Sequence, residues 1–128
     1  MIEIRPREHV ILADDFSKLY VWYRDVLGFK VTKLFQDDFH YANLATESGI
    51  KIGIASAKEM DIVPGKRANN PVVMQIEVDD IKELYEHLEE RGVTHLHGPF
   101  HDKKNNFWFG GFSDIEGNPC WIVDRNCP

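Results

Sequence analysis

The stretch Asp14-Asp15-Phe16-Ser17-Lys18-Leu19-Tyr20 returns about half a chain later as Asp79-Asp80-Ile81-Lys82-Glu83-Leu84-Tyr85. A pattern D-D-apolar-x-x-L-Y, repeated once, says that two copies of one structural unit follow each other along the chain. In each copy the second aspartate is placed to cap a helix, because its carboxylate can accept the first-turn N–H groups that have no carbonyl partner. Glu83 completes a capping box in the second copy. Phe16, Leu19, Tyr20, Tyr23, Val26 and Leu27 then recur at three- and four-residue spacing, as do Ile81, Leu84, Tyr85 and Leu88. That periodicity predicts one helix per copy with an apolar stripe. Gly28 and Gly92 are predicted to end the two helices by taking the left-handed conformation that a side chain resists.

Outward from the repeat, each helix is preceded by a strand-like run, His9-Val10-Ile11-Leu12-Ala13 in the first copy and Val72-Val73-Met74-Gln75-Ile76-Glu77-Val78 in the second. Three further strands follow each helix, predicted over 29–35, 40–46 and 50–55, and over 94–97, 106–113 and 119–123. Asp37-Asp38, Ser48-Gly49 and Glu116-Gly117-Asn118 mark the turns, and 57–71 reads as a linker. The predicted fold class is α+β. Two βαβββ modules, at about 7–56 and 72–125, form a single domain over 1–128 whose curved mixed sheet surrounds a cleft. Alternation turns Met74, Ile76 and Val78 to the helix and leaves Val73, Gln75 and Glu77 toward the cleft, with Glu8, Val10 and Leu12 as their counterparts.

Composition bounds the function. Of 128 residues, 43% are hydrophobic and 12% aromatic, enough for one packed core and too few residues for two full-sized independent domains. Lys plus Arg number 15 against 21 Asp plus Glu, a net charge of -6, which is the wrong sign for a protein that collects phosphates along a nucleic acid. No apolar run is long enough to span a bilayer, and Met1-Ile2-Glu3-Ile4-Arg5-Pro6-Arg7 lacks the apolar stretch of a secretory leader. The expectation is a cytoplasmic protein with no membrane and no nucleic-acid partner. Cys120 and Cys127 form no C-x-x-C motif and read as a buried small side chain and a terminal thiol.

Tyr20-Val21-Trp22-Tyr23-Arg24-Asp25-Val26-Leu27-Gly28-Phe29-Lys30-Val31 is similar to the F-Y-x-x-x-L-G-F-x-V signature of the vicinal oxygen chelate superfamily, which holds glyoxalase I, extradiol dioxygenases, and fosfomycin- and bleomycin-resistance proteins. Phe112-Ser113-Asp114-Ile115-Glu116-Gly117-Asn118 resembles its F-x-D-P-D-G-N turn, with Ile115 where proline is usual. The resemblance covers nearly the whole chain and implies a fold more firmly than an activity. It also implies where a divalent metal would sit, on a His/Glu set from the first and last strands of each module. Carried over residue by residue, the two His positions fall on Glu8 and Val73, and the two Glu positions near Gly53 and on Trp121. A register slipped by one residue gives His9, Ile52 or Ile54, Met74, and Cys120 or Ile122. Neither register supplies a converging donor set, so no metal cofactor is expected, and Glu8 and His9 are the remaining metal candidates. A separate cluster, His95, His97 and His101 beside Asp102, has period-two spacing that puts His95 and His97 on one strand face. It reads either as a local chelate or as an exposed polar strand end.

Without a metal, the predicted cleft is lined by large flat side chains and a few polar groups, as small-molecule sites are. The candidates are Phe35, Tyr41, Phe107 or Phe109, Trp108 and Trp121, with Asn43, Gln75 and Glu77 as hydrogen-bonding handles, and Trp108 and Trp121 are expected nearest the ligand. The reading is a small-molecule-binding protein of the bleomycin-resistance type that sequesters an aromatic or cationic compound, and the resemblance implies a homodimer. The alternative is a metal-dependent glyoxalase, dioxygenase or epimerase, a lyase/isomerase or dioxygenase holding one divalent metal ion, with Glu8 and Glu77 as its working carboxylates. Metal-free acid/base chemistry by Glu77, with Gln75 or Tyr41 orienting the substrate, is a third.

Overall fold

The computed structural model describes residues 2–128. The chain divides into two compact units, Met1–Pro64 and Gly65–Pro128, and the division falls inside the segment read as a linker.

In the first unit, β1 (His9–Ala13) leads into α1 (Phe16–Leu27), followed by β2 (Lys30–Phe35), β3 (Tyr41–Ala45) and β4 (Lys51–Ser56). Asp15 caps α1 by accepting the Lys18 N–H at 3.1 Å, and Gly28 ends it at φ 75°. The strands form one sheet in the order β1-β4-β3-β2, with β1 parallel to β4 and the other pairs antiparallel. Phe16, Leu19 and Tyr23 on α1 are buried, as are Ala42, Leu44, Ile52 and Ile54 on the two central strands. Each large side chain so buried contributes about 1.5–3 kcal/mol. Because alternate residues face opposite ways, those strands turn Tyr41, Asn43 and Gly53 to the face away from α1. The ladder aligns Val10 with Gly53, Lys33 with Asn43, and Phe35 with Tyr41 on that same face.

The second unit repeats the plan. A 3-10 turn at Arg67–Asn69 precedes β5 (Met74–Val78), α2 (Ile81–Glu90), β6 (His95–Asp102), β7 (Phe107–Ser113) and β8 (Pro119–Asp124). Its sheet runs β5-β8-β7-β6, again with one parallel pair, β5 with β8. Asp80 accepts the Lys82 and Glu83 N–H groups at the start of α2, and Gly92 follows the helix at φ 68°. Two four-stranded mixed sheets with a helix apiece are the βαβββ pair that the repeat predicted.

One strand differs. The sixth was expected to stop at His97, ahead of Gly98-Pro99, but β6 continues to Asp102. Proline costs a ladder hydrogen bond only where its missing N–H would have been used, and β6 is the edge strand of its sheet. The extra length is absorbed by register shifts between His95 and His97 and between His97 and Phe100.

The turn from β7 to β8 is organised by buried Asp114, which accepts the Glu116 and Asn118 N–H groups at 2.9 and 3.0 Å and the Asn118 side-chain amide at 2.8 Å. Arg67 reaches the same turn, pairing with Glu116 at 3.1 Å and donating to Asn118 at 3.0 Å, with its side chain only 10% exposed. Among the described residues no helix is long and apolar enough to cross a membrane.

Candidate functional site

The polar centre of the first unit is the Glu8 carboxylate. Tyr41 Oη donates to Glu8 Oε1 at 2.8 Å, and Asn43 Nδ2 donates to Oε1 at 2.9 Å and Oε2 at 3.1 Å. Both donors stand on β3, two residues apart and therefore on one face, so the strand's pleat alone aims them at the same oxygen. Glu8 itself lies one residue ahead of β1, and these side-chain bonds fix its position. The Tyr41 hydroxyl has its pKa pushed up to about 12, first by burial and then by the negative carboxylate that it donates to. Tyr41 is therefore a standing hydrogen-bond donor at neutral pH.

Room for the Tyr41 ring comes from Gly53. A Cβ at that position would sit 2.0 Å from Tyr41 Oη. Around this centre lie two grooves that share Arg7, Glu8, Lys33 and Asn43. One, of about 480 Å³, is walled by Val10, Phe35, Phe39 and Tyr41. The other, of about 470 Å³, continues along Thr32, Ala45 and Lys51. Phe35 and Phe39 stack with ring centroids 5.1 Å apart, and the Lys33 ammonium lies 4.9 Å from the Phe35 centroid. The structure thus brings together Tyr41, Phe35, Asn43 and Glu8, all read as candidates from the sequence. It adds Lys33, Arg7 and Phe39, which that reading missed. The signal for Lys33 was present, since a lysine two residues before Phe35 on one strand must share its face.

The donor set does not suit a divalent metal. Of the four positions that the superfamily uses, Gly53, Val73 and Trp121 offer no ligand atom, and the one carboxylate is already bonded to a phenol and an amide. Among the described residues no group of three His, Cys, Asp or Glu side chains converges as a metal site would require. His9 pairs in register with Ile52, beside the buried helix side of the sheet rather than beside Glu8.

The histidine cluster of the second unit is taken apart by the irregular strand. The residue inserted at Leu96 sets His95 opposite Phe112 and His97 opposite Gly111, which are neighbours on β7 and so face opposite ways. The period-two expectation that they share a face is thereby overturned. His95 packs edge-on against Tyr85 of α2 at 4.6 Å, whereas His97 meets Trp121 edge-on at 6.3 Å. His101 pairs instead with Asn106 at 3.0 Å and packs on Trp108.

Trp108 and Trp121, expected together, are on opposite faces of their sheet. Trp108 shares its face with Gly110 and Phe112, and the Lys82 ammonium of α2 lies 4.5 Å from its ring centroid. Trp121 pairs with Gly111 on the other face, 49% exposed, near His97 and in line with Phe109 and Phe100. The glycine pair Gly110-Gly111 makes this double use possible. A Cβ at Gly110 would meet Tyr85 Oη at 2.0 Å, and one at Gly111 would meet the His97 ring at 2.5 Å. Gln75 and Glu77 are exposed on β5, the other edge strand, where Gln75 pairs with Trp121 and Glu77 with Val123.

Comparison with known proteins supplies the family. The family model for the Glyoxalase/Bleomycin resistance protein/Dioxygenase superfamily matches residues 7–122. The uncharacterized protein YraH of Bacillus subtilis (strain 168) is 30% identical over 101 residues, covering 73% of this chain and 77% of that protein. A superfamily member from Sphaerobacter thermophilus DSM 20745 superposes with a TM-score of 0.73 at 22% identity, over 94% of this chain and 98% of that one. A family enzyme from Burkholderia phytofirmans PsJN gives 0.69 at 17% identity, over 90% and 94%. At these identities the two structures speak for the fold alone.

Proposed function

The chain belongs to the glyoxalase/bleomycin resistance protein/dioxygenase superfamily, and from that premise we propose that it holds a small aromatic molecule by non-covalent, metal-independent binding in the first unit. The carrying observation is the Glu8 carboxylate, held by Tyr41 and Asn43 at the foot of a groove with two stacked phenyl rings on its wall. Two donors hold the carboxylate in place while lone pairs remain for a hydroxyl or amine of a guest. The rings supply flat apolar area, and each aromatic contact adds about 0.5–1.5 kcal/mol beyond simple burial. Sequestration of the resistance-protein kind needs no more than this. The superfamily's metal-assisted reactions need donors that these residues do not provide.

Of the two guest types expected from the sequence, the aromatic one is supported by Phe35, Phe39 and Tyr41. A cationic guest would find Glu8 but would also meet Arg7 and Lys33 in the same groove.

Titration with naphthol tests the reading, followed by the amide signals of Phe35, Tyr41 and Asn43 and by calorimetry. These amides should shift together and saturably, Phe35→Ala should weaken binding by about 1 kcal/mol, and Glu8→Gln by about 1.5 kcal/mol. Added zinc or manganese should leave the affinity unchanged. Amide signals in this groove that stay still at millimolar naphthol would overturn it.

A further inference from the structure

The two grooves that meet at Glu8 differ in character. On one side the lining is Val10, Phe35, Phe39 and Tyr41; on the other, Lys51 joins Arg7 and Lys33. The ladder explains the grouping. Lys33 pairs with Asn43, and Lys51 with Ala45, the next residue of β3 on the same face, so both lysines stand on the face away from α1 and line the groove that holds Glu8. Among the described residues, none of Arg7, Lys33 and Lys51 is a partner in an ion pair with an acidic side chain. In a chain of net charge -6, three cations around a single carboxylate is a local reversal of sign. Glu8 itself forms no ion pair with them among the described residues; its hydrogen bonds come from Tyr41 and Asn43.

Resting on the reading that this groove is the binding site, we infer that its ligand is an anionic arene. The ring lies on Phe35 and Phe39, a hydroxyl or amine next to it donates to Glu8, and a carboxylate or other compact anion is directed toward Lys33, Lys51 and Arg7. The order of these three groups follows the order of the lining residues. A bound anion would be attracted by all three cations that line the groove. Lys33 belongs to both grooves and its ammonium lies 4.9 Å from the Phe35 centroid, so the charge that would meet the anion stands beside the ring wall.

Four probes built on one phenyl ring separate the contributions: phenyllactate, phenylpropionate without the hydroxyl, phenylpropanediol without the carboxylate, and phenethylammonium with the opposite charge. Calorimetry and amide shifts are read for the unaltered chain, for Glu8→Gln, and for Lys33→Gln combined with Lys51→Gln. Phenyllactate should bind about tenfold more tightly than the diol or the ammonium, and that preference should shrink as salt is raised. The double lysine variant should lose the preference for the anion and keep the preference for the hydroxyl; Glu8→Gln should do the reverse. Equal or tighter binding of the diol or the ammonium would overturn the anionic assignment and leave the groove standing as a binding site. If none of the four probes shifts the amides of Phe35, Tyr41 and Asn43, the binding reading falls as well.

Discussion

The Tyr41 hydroxyl occupies the space that a side chain on Gly53 would fill, 2.0 Å from the position of its Cβ. The two residues stand on adjacent antiparallel strands, where Gly53 pairs with Asn43, so one missing methyl group admits the ring that holds Glu8.

Gly53→Ala is therefore expected to cost about 1–3 kcal/mol of stability by overpacking and to push the Tyr41 ring away from the carboxylate. Gly53 is not in a left-handed conformation, so backbone strain adds nothing. Thermal denaturation measures the first effect. Ultraviolet titration of tyrosinate measures the second, because one tyrosine pKa should fall from about 12 back toward the ordinary value near 10. A variant with an unchanged tyrosine titration would show that the ring can reach Glu8 by another path.

Tyr41 also predicts a pH dependence. Burial and the negative charge of Glu8 raise its folded pKa above that of the unfolded chain, so the folded state keeps the proton more tightly. The stability so contributed is complete below the unfolded value near 10 and is lost as pH rises toward about 12. Denaturant melts across this alkaline window should show a steeper loss for the unaltered chain than for Tyr41→Phe. Parallel curves would remove Tyr41 as the cause.

Arg67 joins the segment ahead of β5 to the turn ahead of β8, through Glu116 and Asn118, with both charged side chains nearly buried. Removing one partner strands the other, so Arg67→Ala should destabilise the chain by about 3 kcal/mol, read as a lowered denaturant midpoint with an unchanged slope. A loss under about 0.5 kcal/mol, the size of a surface pair, would show that the pair is solvated.

Cys120 is buried, and burial together with the charge of Asp114 raises its thiol pKa to about 12, whereas Cys127 is partly open. A chromogenic disulfide reagent at mildly alkaline pH should find one fast thiol in the folded chain and a second only on unfolding. Equal rates would contradict the packing of β8.

Much of the fold was legible because its signals are local. The doubled aspartates mark both helix starts, the glycines both ends, and β1 runs over the residues expected, His9 to Ala13. What was not legible depends on register. Alternation correctly separates Trp108 from Phe107 and Phe109, but which of them faces α2 is decided by Gly110 and Gly111 fitting around Tyr85 and His97. The inserted residues of β6 leave no mark in the pattern H-L-H, so His95 and His97 read as neighbours on one face when they are not. For the site, Tyr41, Asn43 and Phe35 follow from β3 and β2 alone. Glu8 was weighed as a metal ligand and a carboxylate base, while Glu77 was placed in the cleft and Glu8's hydrogen-bond partners went unseen, because they lie on β3, two strands away across β4.

Among the described residues the strand that follows Glu8 pairs with one other strand, β4, since β1 is the edge of its sheet. Seating of that edge and completion of the site are for this reason one event. A guest that bonds Glu8 recognises only the docked strand, and by mass action it draws the equilibrium toward docking. Occupancy should then be visible at a distance from the guest itself, as slower hydrogen exchange along His9–Ala13 and slower protease cleavage just ahead of it. On the proposed reading, a bound guest would act as a fastener for the first strand of the fold.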